Sequence, residues 1–223
     1  MKISRVHFPV TALGWGRRIG IWVQGCSIRC PGCVNMDTWD SKGGWEATLE
    51  ELMNLMGRWL PLADGITFTG GEPFDQPAGL QALVQSLREQ FDGDVLVFSG
   101  YPHEMLLADH HAIVRQLDVL ITGPFDPSAG QRLYLRGSDN QRVFLLSPKA
   151  MSRYPADIDG RRWEGPRHLD FFFDGGSAFM AGIPKPDFPA TLRRGLAAAN
   201  LRCKLAAQQP ARGEAAILPD EYE

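Results

Sequence analysis

The chain has 223 residues, 44% of them hydrophobic and 22% charged, with a formal net charge of −3. That length can bury a sizeable core, and the balance is ordinary for a globular protein. The slight negative charge gives no footprint for nucleic acid, and no apolar run approaches the roughly 18 residues of a membrane span. The start, "MKISRVHFPV", has no apolar h-region, so the expected location is the cytoplasm, where thiols stay reduced. Four cysteines in that setting point to metal or redox chemistry rather than to disulfides.

The first feature along the chain is "VQGCSIRCPGCVN", in which Cys26, Cys30 and Cys33 form C-x3-C-x2-C. Pro31 and Gly32 favour a tight loop, which can aim three thiolates at one point. A structural zinc site takes four ligands, usually as two separated pairs, and a ferredoxin-type cluster takes four thiolates. Cys203 is far along the chain and reads as a half-buried helix residue. Spacing alone therefore leaves two choices: an iron–sulfur cluster with one open iron, or a zinc site that borrows a distant ligand. Trp39, just beyond, could shield the site, though core packing explains it as well.

Thr48 and Glu51 are spaced as a capping box for a helix over 49–60. From residue 65 a rhythm begins. The runs "GITFT", "VLVF", "DVLIT" and "RVFLL" read as buried strands. The segments "GLQALVQSLREQF" and "HEMLLADHHAIVRQL" between them read as helices, the first carrying Leu80, Leu83, Val84, Leu87 and Phe91 on one face. Repeated strand–helix units predict a parallel sheet or barrel, open or closed. His110 and His111 fall in the second helical segment with no partner motif, so solvated or capping roles are expected of them.

The strand ends carry the remaining candidates. "TFTGGEP" offers Gly70 and Gly71, which let backbone approach a ligand, and Glu72, whose carboxylate can accept from an ammonium group. "VFSGY" and "LITGP" place Ser99 and Thr122 before a glycine at two further strand ends. Ligands bind at such ends in parallel strand–helix folds, although hydroxyl–glycine pairs are also common turn chemistry. Tyr101 follows Ser99 and Gly100 in "VFSGY" and is a candidate for the substrate mouth. Beyond residue 148, "LDFFFDGGSAFMAGIP" predicts a hairpin and "FPATLRRGLAAANLRCKLAAQ" a helix with Pro189 near its start, before a polar, loose tail.

C-x3-C-x2-C followed by a strand ending in "TGGEP" resembles the radical S-adenosylmethionine (SAM) enzymes. "ALGWGRRIGIWVQGC", "CPGCVNMDTW", "FSGYPHEML", "LDVLITGPF" and "LRGSDNQRV" are similar, in order, to segments of one branch, the activating proteins of anaerobic ribonucleotide reductase. The resemblance covers roughly residues 6 to 146 and implies an open parallel β/α barrel. It implies a [4Fe-4S] cluster on Cys26, Cys30 and Cys33, whose open iron is chelated by SAM. In that family one electron cleaves SAM to a 5′-deoxyadenosyl radical, and the resemblance implies that this radical would abstract hydrogen from a glycine of a partner glycyl-radical enzyme. A flavodoxin or ferredoxin would supply the electron. Carried over by position, Gly32 and Val34 would lie against SAM, and Gly70, Gly71 and Glu72 would receive its amino group. Ser99, Thr122, Asn140 and Arg142 are further candidates toward SAM; for the last two, a structural clamp at a strand start is the competing explanation.

Some positions depart from the branch: Val34 stands where tyrosine is usual, and Thr122 where aspartate is. The chain also continues well past the resemblance. The expected layout is therefore a radical SAM core over 1–148 and an extension over 149–223 that packs on the core or completes it, in one domain overall. A radical SAM enzyme acting on a peptide or small metabolite, and a non-catalytic iron–sulfur or zinc protein, remain the alternative readings.

Overall fold

The computed structural model describes residues 1–174 and 177–199, so the expectations for Gly175, Gly176, Cys203 and the tail lie outside the described residues. Strand β1 (Lys2–Val10) pairs antiparallel with β2 (Arg18–Val23), and the short β3 (Trp45–Glu46) adds to the other side of β1. Every residue of β2 is buried, as befits a strand covered on both faces.

Helix α1 (Leu49–Gly57) begins at the capping box read from the sequence. Thr48 Oγ1 accepts from the Glu51 amide, and the Glu51 carboxylate accepts from the Thr48 amide. Next come β4 (Gly65–Gly70), α2 (Pro77–Gln90), β5 (Asp94–Phe98), α3 (His103–Asp109), α4 (His111–Val114), β6 (Val119–Thr122), β7 (Arg142–Leu145) and α5 (Pro148–Arg153). The sheet order is β3-β1-β2-β4-β5-β6-β7. Strands β2, β4, β5 and β6 are parallel, and β3 and β7 are the open edges. Helix α2 buries Leu80, Leu83, Val84 and Leu87 in the main core, together with Ile66, Phe68 and Val95 of the sheet.

Two elements differ from the sequence-based expectation. The segment expected as one helix is two, because His110 sits at φ −132, ψ 26, outside the helical region. Its carbonyl accepts from the Ile113 and Val114 amides, which restarts the helix, and its ring packs 5.3 Å from that of Phe74. The last of the four strands, β7, runs antiparallel to β6. Orientation there is decided by the connection. Residues 123–141 contain only a 3-10 turn and no crossover helix, so the chain re-enters the sheet at the end it left, with Thr122 opposite Arg142.

The other end of the parallel strands is closed by a buried ion pair. Arg18 Nη2 lies 2.8 Å from Asp94 Oδ2, with neither side chain exposed, and Arg153 reaches Asp94 Oδ1 at 2.6 Å. Arg18 also donates to Thr67 Oγ1 and to the carbonyls of Trp15 and Ile66, so its fork is fully used.

After α5 the chain runs beside the loop that follows β6. The Tyr134 amide donates to the Arg161 carbonyl at 2.7 Å, and the Trp163 amide to the Arg132 carbonyl at 2.9 Å. It then forms β8 (Leu169–Asp174), β9 (Ser177–Gly182) and α6 (Phe188–Ala198). The hairpin docks at the end of β1. Asp170 accepts from the Thr11 and Ala12 amides and the Thr11 hydroxyl at 2.7–2.9 Å, and Ala181 and Ile183 pack with Val10, Leu13 and Trp22.

Candidate functional site

Two loops at the carboxyl ends of β2 and β4 are tied together. After β2 the chain passes through Gly25, whose amide donates to the Thr38 carbonyl at 2.7 Å, and Cys26, whose amide donates to the Trp39 carbonyl at 3.2 Å. These bonds fold residues 26–39 back on themselves as a loop. After β4, the Gly71 amide donates to the Val23 carbonyl and the Glu72 amide to the Gly25 carbonyl, both at 2.9 Å. A Cβ at Gly71 would collide with the Gly25 carbonyl oxygen. The glycine pair thus lets the chain approach itself; the close neighbour is the cysteine loop.

Asp75, not singled out in the sequence, and Tyr101, expected at the substrate mouth, reinforce this join. Asp75 accepts from the Ser27 amide at 2.7 Å and the Ser27 hydroxyl at 2.9 Å. Tyr101 donates to Asp75 at 2.7 Å, so its hydroxyl braces the loops and does not line the pocket. The signal for Asp75 was "GGEPFD", where a second carboxylate follows Glu72 on the same turn.

A pocket opens between these loops, the ends of β5 and β6, and the hairpin, and Cys26, Cys30 and Cys33 line it. All three thiols are free and half-buried. The Cys33 amide donates to the Cys30 carbonyl at 3.2 Å, and the Asn35 amide points at Cys33 Sγ at 3.4 Å. Burial pushes the Cys26 and Cys33 thiols up from their ordinary values. A bound cation reverses that, since a coordinating thiol is deprotonated. Among the described residues no three His, Cys, Asp or Glu side chains converge on a single metal ion. In a four-iron cluster each thiolate binds a different iron, so the donor set suits a cluster and not a lone zinc ion.

Glu72 is 1% exposed. Its Oε1 accepts from the Phe74 amide at 3.0 Å and the Ser99 hydroxyl at 2.9 Å, and its Oε2 from the Gly100 amide at 2.7 Å. Burial nevertheless outweighs these donors and pushes the carboxyl up to about 7. The carboxylate therefore pins the ends of β4 and β5 together while it faces the pocket.

The other sequence candidates divide. Gly70, Gly71 and Val34 line the pocket with Glu72, and Val34 is 52% exposed. Gly32 lies at the exposed tip of the loop, off the pocket wall. Ser99 borders the pocket, but its hydroxyl is spent on Glu72. Thr122 is buried and off the wall, because its position in β6 turns it into the sheet; Gly123 after it lines the pocket instead. Asn140 donates to the Pro124 carbonyl at 2.8 Å, and Arg142 points outward to Asp159 at 2.7 Å, so neither lines the pocket. Between them Gln141 does. Its Oε1 accepts from the Gly137 and Ser138 amides and its Nε2 donates to the Gly123 carbonyl, which clamps the loop after β6. Buried Arg136 completes the clamp by donating to the carbonyls of Gln141, Ile158 and Asp159. Trp39 lines the pocket beside the thiols.

Residues 12–144 match the family described as a 4Fe-4S single cluster domain. The anaerobic ribonucleoside-triphosphate reductase-activating protein of Escherichia coli (strain K12) is 33% identical over 152 residues, which are 96% of that protein and 63% of this chain. Its namesake from Enterobacteria phage T4 is 29% identical over 94% of its own length and 65% of this chain. The pyruvate formate-lyase-activating enzyme of Clostridium pasteurianum is 34% identical over 129 residues, 54% of this chain and 52% of that enzyme. The chain belongs to the 4Fe-4S single cluster family, in its radical SAM activating branch, and is thus an enzyme that works with a [4Fe-4S] cluster and SAM.

Proposed function

We propose that this enzyme abstracts a hydrogen atom from a backbone glycine of a partner glycyl-radical enzyme of the anaerobic ribonucleotide reductase kind. One observation carries the reading: three free, half-buried thiols share a pocket with a glycine–glycine–carboxylate turn that is bonded to their own loop. When bound, the cluster and SAM supply a one-electron cleavage of a sulfur–carbon bond and, with it, the carbon radical that takes the hydrogen atom.

The residues around that chemistry have separate tasks. Cys26, Cys30 and Cys33 hold the cluster. Gly70, Gly71 and Glu72 receive the amino group of SAM, and Ser99 fixes the Glu72 carboxylate from behind at 2.9 Å. Ile28, Phe98 and Phe125 give the pocket apolar sides that keep water from a reactive carbon centre. The exposed flank at Val34 is the approach for the electron donor, a flavodoxin or ferredoxin. The reaction belongs in the reducing cytoplasm, where the thiols stay available to iron.

Anaerobic reconstitution tests the proposal. The reduced, cluster-loaded enzyme with SAM should release 5′-deoxyadenosine and methionine in equal amounts and raise a glycyl-radical signal on the partner. A loaded and reducible cluster that releases no 5′-deoxyadenosine overturns it.

A further inference from the structure

The family match ends at residue 144, and the Escherichia coli relative is matched over 96% of its length by only 63% of this chain. The structure nevertheless puts part of the unmatched region into the pocket. Met180, Ala181, Gly182, Ile183 and Pro184 line it along with the three cysteines. They form the side that the hairpin contributes, whereas the cysteine loop and strand ends supply the rest.

The segment is anchored at both ends. On one side Asp170 caps the Thr11 and Ala12 amides, the Phe172 ring lies 3.6 Å from that of His7, and Arg5 is held between the rings of Trp22 and Phe179 at 5.4 and 5.2 Å. On the other side Arg167 donates to both the carbonyl and the side-chain oxygen of Gln131, in the loop after β6. The same guanidinium reaches the carbonyls of Ile183 and Pro184 at 3.4 and 3.0 Å, and it stacks 5.2 Å from the Trp163 ring. Arg167 therefore fixes the distance between Gln131 and the hairpin's pocket face. Gly182, at φ +130, lets the chain turn at that face, and a Cβ there would strike Leu169 at 2.7 Å.

The chemistry of the lining limits what it can accept. The hairpin contributes only apolar side chains, and among the described residues no lysine, arginine or histidine lines the pocket; Glu72 is its one ionisable oxygen acid. A bound [4Fe-4S] cluster would offer its open iron to the carboxylate of SAM. A second buried carboxylate or phosphate would find no cation, and an uncompensated buried charge is strongly disfavoured.

We infer that Met180 and Ile183 are specificity-determining residues that admit an uncharged, apolar-flanked peptide segment to the cluster, with Arg167 as the positioning residue that sets the width of the opening. This rests on the glycine-abstraction reading above and narrows its substrate.

The test uses capped heptapeptides with a central dideuterated glycine, flanked by alanine and valine, by aspartate, or by lysine. Reduced holoenzyme with SAM should move deuterium into 5′-deoxyadenosine from the apolar peptide at least about tenfold better than from either charged one. Met180→Lys should shift the preference toward the aspartate peptide, and Met180→Glu toward the lysine peptide. Both variants should keep wild-type iron content and melting temperature. Binding of the three peptides to the oxidised, SAM-loaded enzyme, which cannot turn over, should follow the same order. Arg167→Ala should raise the KM for the apolar peptide and leave peptide-free SAM cleavage unchanged, and Arg167→Lys should recover part of the loss.

Deuterium transfer whose preference ignores both Met180 substitutions overturns the specificity role while glycine abstraction stands. SAM cleavage with no deuterium from any peptide overturns both. An equal fall of peptide turnover and peptide-free cleavage in Arg167→Ala assigns that residue to folding alone.

Discussion

Asp75 takes both the amide and the hydroxyl of Ser27, at 2.7 and 2.9 Å, across the gap between two loops that start from different strands. Ser27 is next to Cys26, so this exposed carboxylate sets where the first thiol stands. Asp75→Ala should cost about 1–2 kcal/mol, a modest loss for charge-assisted bonds at the surface. Its larger effect should be lower iron per chain after reconstitution and faster proteolysis within residues 26–35. Full iron loading with unchanged proteolysis would count against Asp75 as the loop's anchor.

Cys30→Ala should abolish cluster loading and leave the fold intact, since Cys30 makes no side-chain bond that the sheet depends on among the described residues. Circular dichroism should be unchanged while the iron–sulfur absorbance disappears. Cys203→Ala should keep its iron.

Glu72 makes stability depend on pH. Its folded value, about 7, lies above the ordinary 4.5 because burial disfavours the anion. The folded chain therefore holds a proton that the unfolded chain releases. The associated stability is fully present below about 4.5 and is lost as pH rises through about 7, a loss on the order of 3 kcal/mol. Denaturant midpoints of the iron-free protein at pH 5 and pH 8 measure it. Glu72→Gln should be less stable at pH 5, because its amide nitrogen cannot accept from Gly100, yet its pH slope should flatten, so the gap from wild type should narrow toward pH 8. An unaltered slope would refute the assignment.

At the opposite end of the sheet, Asp94→Ala should destabilise by roughly 3–5 kcal/mol, because it leaves Arg18 buried without its anion. Arg153→Ala should cost less, since that side chain is partly exposed and Arg18 still pairs with Asp94. SAM cleavage per folded molecule should be unchanged in both variants, as neither residue touches the pocket.

The parts of the fold that could be read from the sequence are those written in neighbouring residues. Thr48 and Glu51 announced a helix start, and the buried runs at 65–70, 94–98 and 119–122 announced strands. The direction of β7 was not written in its own residues, because "RVFLL" reads the same in either orientation and the helix-free connection before it decides. The site shows the same division. The cysteine triplet and the glycine pair are local patterns. Arg142 attracted attention by its charge, but the pairing of β7 with β6 faces it outward, and the neutral Gln141 beside it meets the pocket. Asp75, Met180 and Ile183 act through partners far away in sequence, which no local pattern records.

The two-sided anchorage of the hairpin also has a meaning in time. The cysteine loop and the glycine–glycine–carboxylate turn are complete once residue 100 has been made, whereas Arg167, Met180 and Ile183 are among the later parts of the chain to appear. During synthesis, which proceeds from the amino terminus, the side later closed by the hairpin stands open. A cluster delivered before residues 169–184 are made would meet the three thiols without the hairpin side of the pocket over them.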